Sequence, residues 1–126
     1  MFDGHNHAVG RLGEQKAAAY LIDHNYNIIE QNANSRWGEI DIIAKQKQTI
    51  VFVEVKTRIS SRQGEPFEAV HYLKLRHLLR TIKYYILTHK LEKYRHRIDV
   101  ISVVMDSNRE VLTLKHYENV QVDKYI

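Results

Sequence analysis

Two acidic motifs, GEID at residues 38–41 and EVK at residues 54–56, interrupt stretches of the sequence that are otherwise apolar. Side chains two residues apart on a β-strand point to the same face of a sheet. If the two segments pair as a hairpin, Asp41 and Glu54 can come side by side, and Lys56 shares the face of Glu54. The spacing therefore predicts a small patch with at least two carboxylates and one ammonium group.

Two interpretations of this patch follow from its charges. Lys56 can form an ion pair with Glu54 or with Asp41, in which case the patch is structural. However, the acidic groups outnumber the single lysine, and carboxylates held close together are costly unless one is protonated or a cation is shared. A hard divalent ion such as Mg²⁺ meets this need, because it binds one or two carboxylates together with water and phosphate oxygens.

The same alternation predicts which neighbours face away from the patch. Glu39 and Asp41 are expected on one face of their strand, with Ile40 and Ile42 on the other. The valines on either side of Glu54 are likewise expected opposite the patch. Glu39 is open to two interpretations, as an acid supporting the site or as a solvated strand residue.

The periodicity of the remaining sequence predicts the elements that position these motifs. A first helix is expected from Ala8 to about His24, and a long second helix from about Pro66 to about Thr88. Five strands are expected, at about residues 28–34, 38–44, 50–57, 97–105 and 110–116. The order α-β-β-β-α-β-β indicates an α/β fold in which helices flank a mixed β-sheet. We expect one domain over residues 1–126, with residues 1–7 as a flexible tail.

The first helix carries a line of small residues. Gly10, Gly13 and Ala17 fall on one side together with Leu21, which would let the helix lie close to a sheet. Glu14 falls at the edge of this line. A carboxylate at that position must reach water or meet a cation.

The positive charge of the chain is concentrated in one segment. The net charge is +4, but residues 57–97 hold 10 basic and 3 acidic side chains, whereas residues 1–56 hold 6 basic and 7 acidic ones. Arg76, Arg80 and Lys83 lie on the outer side of the predicted second helix. This surplus indicates a polyanionic partner such as nucleic acid, or a solvated helix face.

Other features exclude several classes of protein. The absence of Cys excludes disulfides, thiolate metal sites and a Cys nucleophile. No apolar run approaches the ~18 residues of a membrane span. The polar, His-bearing start of the sequence does not fit a secretory signal. A cytoplasmic location is therefore expected.

The ordered motifs resemble the PD-(D/E)xK nuclease superfamily and, more closely, the YraN-type predicted endonucleases, which are related to archaeal Holliday junction resolvases. Ile40 stands where the superfamily name has Pro. The resemblance covers nearly the whole chain and rests on GRLGEQKAAAYL at 10–21, WGEIDIIA at 37–44, VFVEVKTR at 51–58, G-x-P-x-E-A-V at 64–70, Lys74, and RIDVISV at 97–103.

The resemblance implies a restriction-endonuclease-like fold and metal-dependent hydrolysis of DNA, with branched or junction DNA as a candidate substrate. Asp41 and Glu54, with the main-chain carbonyl of Val55, would bind Mg²⁺ or Mn²⁺. Glu14 would complete the site, and Lys56 would orient the attacking water and stabilise the developing charge. By analogy with resolvases, a homodimer is expected. The basic residues expected along the DNA are Arg11, Arg36, Arg58, Arg62 and Lys74.

Two alternatives remain at the level of sequence. The chain can be a nucleic-acid-binding module that keeps the fold without cutting, or an accessory protein whose partner supplies specificity. Trp37 can pack in the core or stack on a base. Lys74 can contribute to the site or extend its amine to water from an apolar helix face.

Overall fold

The computed structural model describes residues 4–60 and 75–121, and the side chains of residues 7–60 and 78–121. These residues form two helices and five strands in the predicted order α-β-β-β-α-β-β. The elements are α1 (Gly4–Asp23), β1 (Asn27–Ser35), β2 (Gly38–Gln46), β3 (Thr49–Ile59), α2 (Leu75–Thr88), β4 (Arg95–Met105) and β5 (Val111–Tyr117).

The five strands form one mixed sheet in the order β1-β2-β3-β4-β5. β1, β2 and β3 pair antiparallel, β3 and β4 pair parallel, and β4 and β5 pair antiparallel. The parallel pair requires a crossover between β3 and β4, and α2 lies in that crossover. This arrangement is that of a restriction-endonuclease-like fold, as expected.

Two apolar cores lie on opposite faces of the sheet. Alternate residues of β3 explain them, since Val51, Val53 and Val55 pack with α1, whereas Ile50 and Phe52 pack with α2. A strand that is covered on both sides reads as a continuous apolar run, as IVFVEV at residues 50–55 does. Glu54 and Lys56 alternate with the valines and therefore belong to the other face of β3.

The close approach of α1 to the sheet occurs at Gly13. A Cβ atom at Gly13 would lie 1.9 Å from Thr57 Oγ1, so only glycine fits against β3 there. A Cβ atom at Gly10 would meet no atom of the described residues within 4 Å. The predicted contact is therefore confirmed at Gly13, and it places the neighbouring Glu14 beside the strands that carry the acidic motifs.

The helices differ from the expected bounds in one respect. α1 begins at Gly4 rather than Ala8, so the expectation of a tail is corrected for residues 4–7. These residues hold no proline, and adding residues to an existing helix costs little. α2 ends at Thr88 as predicted. Neither described helix is long and apolar enough to cross a membrane.

Several predicted features lie outside the described residues. They are the start of the chain at residues 1–3, the expected loop residues 61–65, the first part of the second helix at 66–74, and with them Arg62, Lys74 and the G-x-P-x-E-A-V segment.

Candidate metal centre

The predicted hairpin between the two acidic motifs is confirmed by the pairing of β2 with β3. The ladder runs from Gln46 opposite Thr49 to Ile42 opposite Val53. At the next position the Asp41 side chain takes the place of a backbone acceptor, because its Oδ2 accepts the Val55 N–H at 2.8 Å. Asp41 is next to Ile42, the last paired residue of β2, and Glu54 is next to Val53, the last paired residue of β3. Asp41 therefore lies where the two strands stop pairing.

The alternation predicted for β2 is wrong at this point. Ile40 packs in the core beneath α2, whereas Ile42 packs in the core beneath α1, although two residues apart should share a face. The strand has left the β3 ladder here, and Asn32, opposite Asp41 on β1, has a positive φ of 54°. The irregular backbone of both strands sets Asp41 at a break in the pleat.

Asn32 connects two acidic side chains from different elements. Its Nδ2 donates to Glu14 Oε1 of α1 at 2.9 Å and to Glu39 Oε2 of β2 at 2.6 Å. Glu39 is exposed and shares Asn32 as a hydrogen-bond donor with Glu14, so both interpretations of Glu39 stay open. Asn32 was not among the predicted site residues, although an Asn inside a strand is unfavourable and tolerates a left-handed backbone better than most residues.

Glu54 and Lys56 of β3 form an ion pair at the site. Lys56 Nζ lies 3.9 Å from Glu54 Oε2, and their side chains are 29% and 21% exposed, respectively. The ion pair proposed as a structural alternative is therefore present, at the long end of the range for such a contact. Both side chains therefore retain access to solvent.

The charges of the site act on Asp41. Its pKa is raised from 3.8 to about 8, chiefly by burial and next by the neighbouring Glu54 carboxylate. The N–H of Val55 works in the opposite direction, whereas Glu14 and Glu39 add to the increase. Three carboxylates thus act on a fourth that is mostly shielded from water, and the ionised form of Asp41 is costly near neutral pH.

The donor set fits a hydrated hard cation but not a closed metal cage. Within the described part of the chain, no three His, Asp or Glu side chains lie close enough together to hold an ion between them. Asn32 holds Glu14 and Glu39 at one side, and Lys56 pairs with Glu54 at the other. One or two carboxylates with water are the usual protein ligands of Mg²⁺, and Asp41 is central enough to be one of them.

An open pocket of about 280 Å³ adjoins this site. It lies between the first half of α1 and the β1–β2 hairpin, and Arg11 places a guanidinium beside the acids there. Its lining residues are His7, Gly10, Arg11, Glu14, Asn32 and Glu39.

The arginines expected along the DNA occupy separate places. Arg11 lies on α1, Arg36 is exposed at the turn between β1 and β2, and Arg58 is half-buried on β3. The Arg36 guanidinium carbon lies 4.9 Å from the centroid of the Trp37 ring. Trp37 itself is half-buried and meets Tyr84 of α2, so it packs at the rim rather than inside a core.

A second buried aspartate, Asp99 of β4, has the opposite surroundings. Its carboxylate is fully buried and accepts hydrogen bonds from Arg97 Nε at 3.0 Å, His116 Nε2 at 2.7 Å and the Asn119 N–H at 2.9 Å. Burial alone would raise the pKa of Asp99, but the bonds from His116 and Arg97 hold it below its usual value.

Tyrosines extend this network to α1. Tyr20 hydroxyl lies 3.0 Å from His116 Nδ1, and Arg97 donates to the Tyr26 hydroxyl at 2.7 Å. This network was not predicted, and its signal in the sequence was an Asp within the apolar strand RIDVISV. The network joins α1, β4, β5 and the segment after β5, and its acid is satisfied internally.

The fold and the site together define a class of protein, one with a restriction-endonuclease-like sheet and an acidic centre where β2 and β3 separate. The model of the Uncharacterised protein family UPF0102 matches residues 13–103, and the chain belongs to this family. This is the YraN-type family, so the resemblance inferred from the motifs is confirmed. The matched range includes the site residues Glu14, Asn32, Asp41, Glu54 and Lys56.

Bacterial relatives match over most of their length. The chain is 46% identical over 104 residues to a protein of Caldicellulosiruptor bescii, which covers 82% of this chain and 87% of the relative. It is 44% identical over 114 residues to a protein of Clostridium acetobutylicum, covering 90% and 93%. A Persephonella marina protein is 39% identical over 107 residues, covering 85% and 90%. Each is named as a UPF0102 protein, a name that states no activity.

Proposed function

We propose that this protein is a metal-dependent endonuclease that hydrolyses phosphodiester bonds of DNA. One observation carries the proposal: Asp41 is shielded from water where β2 and β3 part, three other carboxylates act on it, and its pKa rises to about 8. A divalent cation relieves this excess of negative charge, and an oxygen-donor set next to a lysine suits phosphoryl chemistry.

Each site residue has a role in this proposal. Asp41 and Glu54, with the Val55 carbonyl, would hold Mg²⁺ or Mn²⁺, and Glu14 would complete the site. When bound, the ion lowers the pKa of water and neutralises charge on the phosphoryl group. Lys56 orients the attacking water and donates hydrogen bonds to the phosphate oxygens as charge develops. Asn32 sets the direction of the Glu14 carboxylate.

DNA is proposed as the substrate because positive charge is concentrated in one segment of the chain. Residues 57–97 carry 10 basic and 3 acidic side chains, and Arg80 and Lys83 are exposed on α2. Arg36 and Arg11 extend positive charge to either side of the hairpin, and Arg58, Arg62 and Lys74 are proposed as further contacts. Branched or four-way DNA is the finer proposal. A four-way junction has two symmetric cleavage positions, which a two-fold dimer would match.

A cleavage panel tests the proposal. Linear, flapped, gapped and four-way DNA are incubated with Mg²⁺ or Mn²⁺, and wild type is compared with Glu54→Gln. We expect metal-dependent nicking by the wild type and loss of nicking in Glu54→Gln. Glu92→Gln changes an exposed acid that is far from Glu54 in the sequence, and it should retain the activity. Cleavage that survives in Glu54→Gln contradicts the proposal.

A non-catalytic DNA-binding module is the second candidate. It is favoured by the separation of the carboxylates, since the described residues hold no ready-made group of three at metal-binding distances. Such a module would bind DNA with a steep dependence on salt and would be indifferent to Asp41→Asn. Calorimetric titration with Mn²⁺ separates the candidates, because only the enzyme requires a heat of binding that Asp41→Asn abolishes.

A further inference from the structure

The turn between β1 and β2 forms an aromatic pocket against α2. The rings of Trp37 and Tyr84 meet edge to face, with centroids 5.4 Å apart and planes at 66°. The Arg36 guanidinium lies over the Trp37 ring at 4.9 Å. The open pocket beside them has a volume of about 340 Å³ and is lined by Asn34, Ser35, Arg36, Trp37 and Tyr84.

The turn that carries the pocket is held in place by its own contacts. Ser35 Oγ accepts the Trp37 N–H at 3.1 Å and donates to the Gly38 carbonyl at 3.2 Å. Gly38 has a φ of 144°, and a Cβ atom there would lie 3.6 Å from Thr81 Oγ1 of α2. Trp37 is therefore presented on a defined backbone, which lowers the entropy lost when a ligand stacks on it.

The composition of the pocket matches the parts of a nucleotide. Tyr84 is 48% exposed, so its ring offers apolar surface that the fold has not buried. Aromatic rings bind the faces of bases with little dependence on sequence. Arg36 supplies a cation for a phosphate, and the Asn34 amide can hydrogen-bond the edge of a base.

The pocket also lies within reach of the candidate metal centre. Trp37 precedes Asp41 by four residues, which corresponds to roughly 13 Å at a strand rise of about 3.3 Å per residue. A few nucleotides span this length, at about 3.4 Å per nucleotide along one stacked strand. A base held at Trp37 can thus belong to the strand whose phosphate meets Asp41.

We propose that the pocket of Trp37 and Tyr84 binds an unpaired nucleobase of DNA while Arg36 contacts an adjacent phosphate. The inference rests on the proposed DNA substrate and deepens it, because it names the feature that the protein selects. A paired base in a duplex is covered above and below by its neighbours and cannot enter such a pocket. A base at a bulge, gap or branch point can leave the stack.

Trp37 is the single Trp of the chain, so its fluorescence reports directly on the pocket. Wild-type protein in EDTA is titrated with three duplexes of one sequence: fully paired, with a one-nucleotide bulge, and with an abasic bulge. We expect quenching and about 5- to 100-fold tighter binding for the bulge that carries a base. Equal quenching and affinity for all three duplexes, or absence of binding, overturns the inference.

Substitutions separate stacking from general binding. With anisotropy of labelled DNA as the readout, Trp37→Ala and Tyr84→Ala should remove the preference for the bulge, whereas Trp37→Phe should keep most of it. Leu87→Ala, at a residue of α2 that is 63% exposed, should change nothing. Thermal unfolding checks that each variant folds, and a preference that persists in folded Trp37→Ala overturns the inference.

The metal-free format keeps this test apart from that of the enzyme. Selective quenching without any cleavage supports the pocket and counts against the nuclease. Metal-dependent cleavage without selective quenching supports the nuclease and overturns the pocket.

Discussion

Asp41 and Asp99 are both shielded aspartates on strands of one sheet, yet their surroundings give opposite results. Asp99 receives hydrogen bonds from Arg97, His116 and the Asn119 N–H, and its pKa is lowered despite full burial. Asp41 accepts a hydrogen bond from the Val55 N–H but faces other acids, and its pKa rises to about 8. The donors around a buried acid, rather than its burial, decide whether its charge is stable.

The comparison also separates a structural role from a functional one. The Asp99 network is complete and joins α1 to β4, β5 and the segment that follows. In the described residues, the Asp41 site gathers four carboxylates, and its lysine, Lys56, pairs with Glu54. Groups with pKa values displaced by burial and like charges are concentrated at functional sites, and Asp41 fits that description whereas Asp99 does not.

The largest expected effect is the loss of cleavage activity when the Asp41 site is changed. Asp41→Asn should lower metal-dependent cleavage by more than about 100-fold, because even residues behind metal ligands typically contribute 10- to 100-fold. It should leave the free energy of unfolding unchanged or higher, since a costly charge is removed. Cleavage rates and urea unfolding of the same preparation measure both quantities, and a strongly destabilised Asp41→Asn would contradict the comparison.

The matching change at the complete network should act on stability. Asp99→Asn leaves Arg97 without its buried partner and should lower the free energy of unfolding by about 3 kcal/mol. Urea unfolding measures the loss. If Asp99→Asn is as stable as the wild type, the two aspartates are energetically alike, contrary to the comparison.

Asn32 offers a smaller test of how the acids are directed. Asn32→Gly keeps the left-handed backbone but removes the amide that holds Glu14 and Glu39. We expect metal affinity or cleavage to fall by about 10- to 100-fold, as for other residues that orient ligands. Calorimetry with Mn²⁺ measures the affinity. Asn25→Gly, at another residue with positive φ, is the control for the backbone and should bind the ion normally.

Two glycines of α1 test how closely the helix must approach. Gly13→Ala places a methyl group against Thr57 and should cost about 1–3 kcal/mol of unfolding free energy while displacing Glu14. Gly10→Ala meets open space and should be neutral or up to about 1 kcal/mol more stable, because Ala favours helix. Thermal unfolding of the pair measures the difference, and equal stabilities would contradict the packing at β3.

The two aspartates also predict opposite dependences of stability on pH. The folded-state pKa of Asp41, about 8, lies above its usual 3.8, so the folded protein binds this proton more tightly than the unfolded chain. This contribution to stability is present below about pH 4 and declines as the pH rises to about 8. Asp99 has a lowered pKa, so its contribution is present above its usual pKa and declines at acid pH.

Urea midpoints from pH 4 to pH 9 measure this dependence. Asp41→Asn should flatten the decline toward pH 8, and Mn²⁺ affinity of the wild type should rise over the same range as Asp41 loses its proton. If stability declines equally toward pH 8 in Asp41→Asn, the decline comes from other titrating groups.

Local periodicity determined much of this protein. The apolar run IVFVEV, the spacing of GEID and EVK, and the small residue at Gly13 predicted the element order, the hairpin and the contact that places Glu14. Such features depend on neighbours within a few residues, because the period of a helix or strand decides which side chains share a face.

Only the tertiary structure decided the rest. The break in alternation at Asp41 arises where β2 leaves β3, and Asn32, whose backbone is left-handed, joins Glu14 to Glu39. The donors to Asp99 and the pair of Trp37 with Tyr84 come from segments far apart in the chain. Whether a buried acid is satisfied depends on every group that packs around it, and that set exists only once the chain has folded.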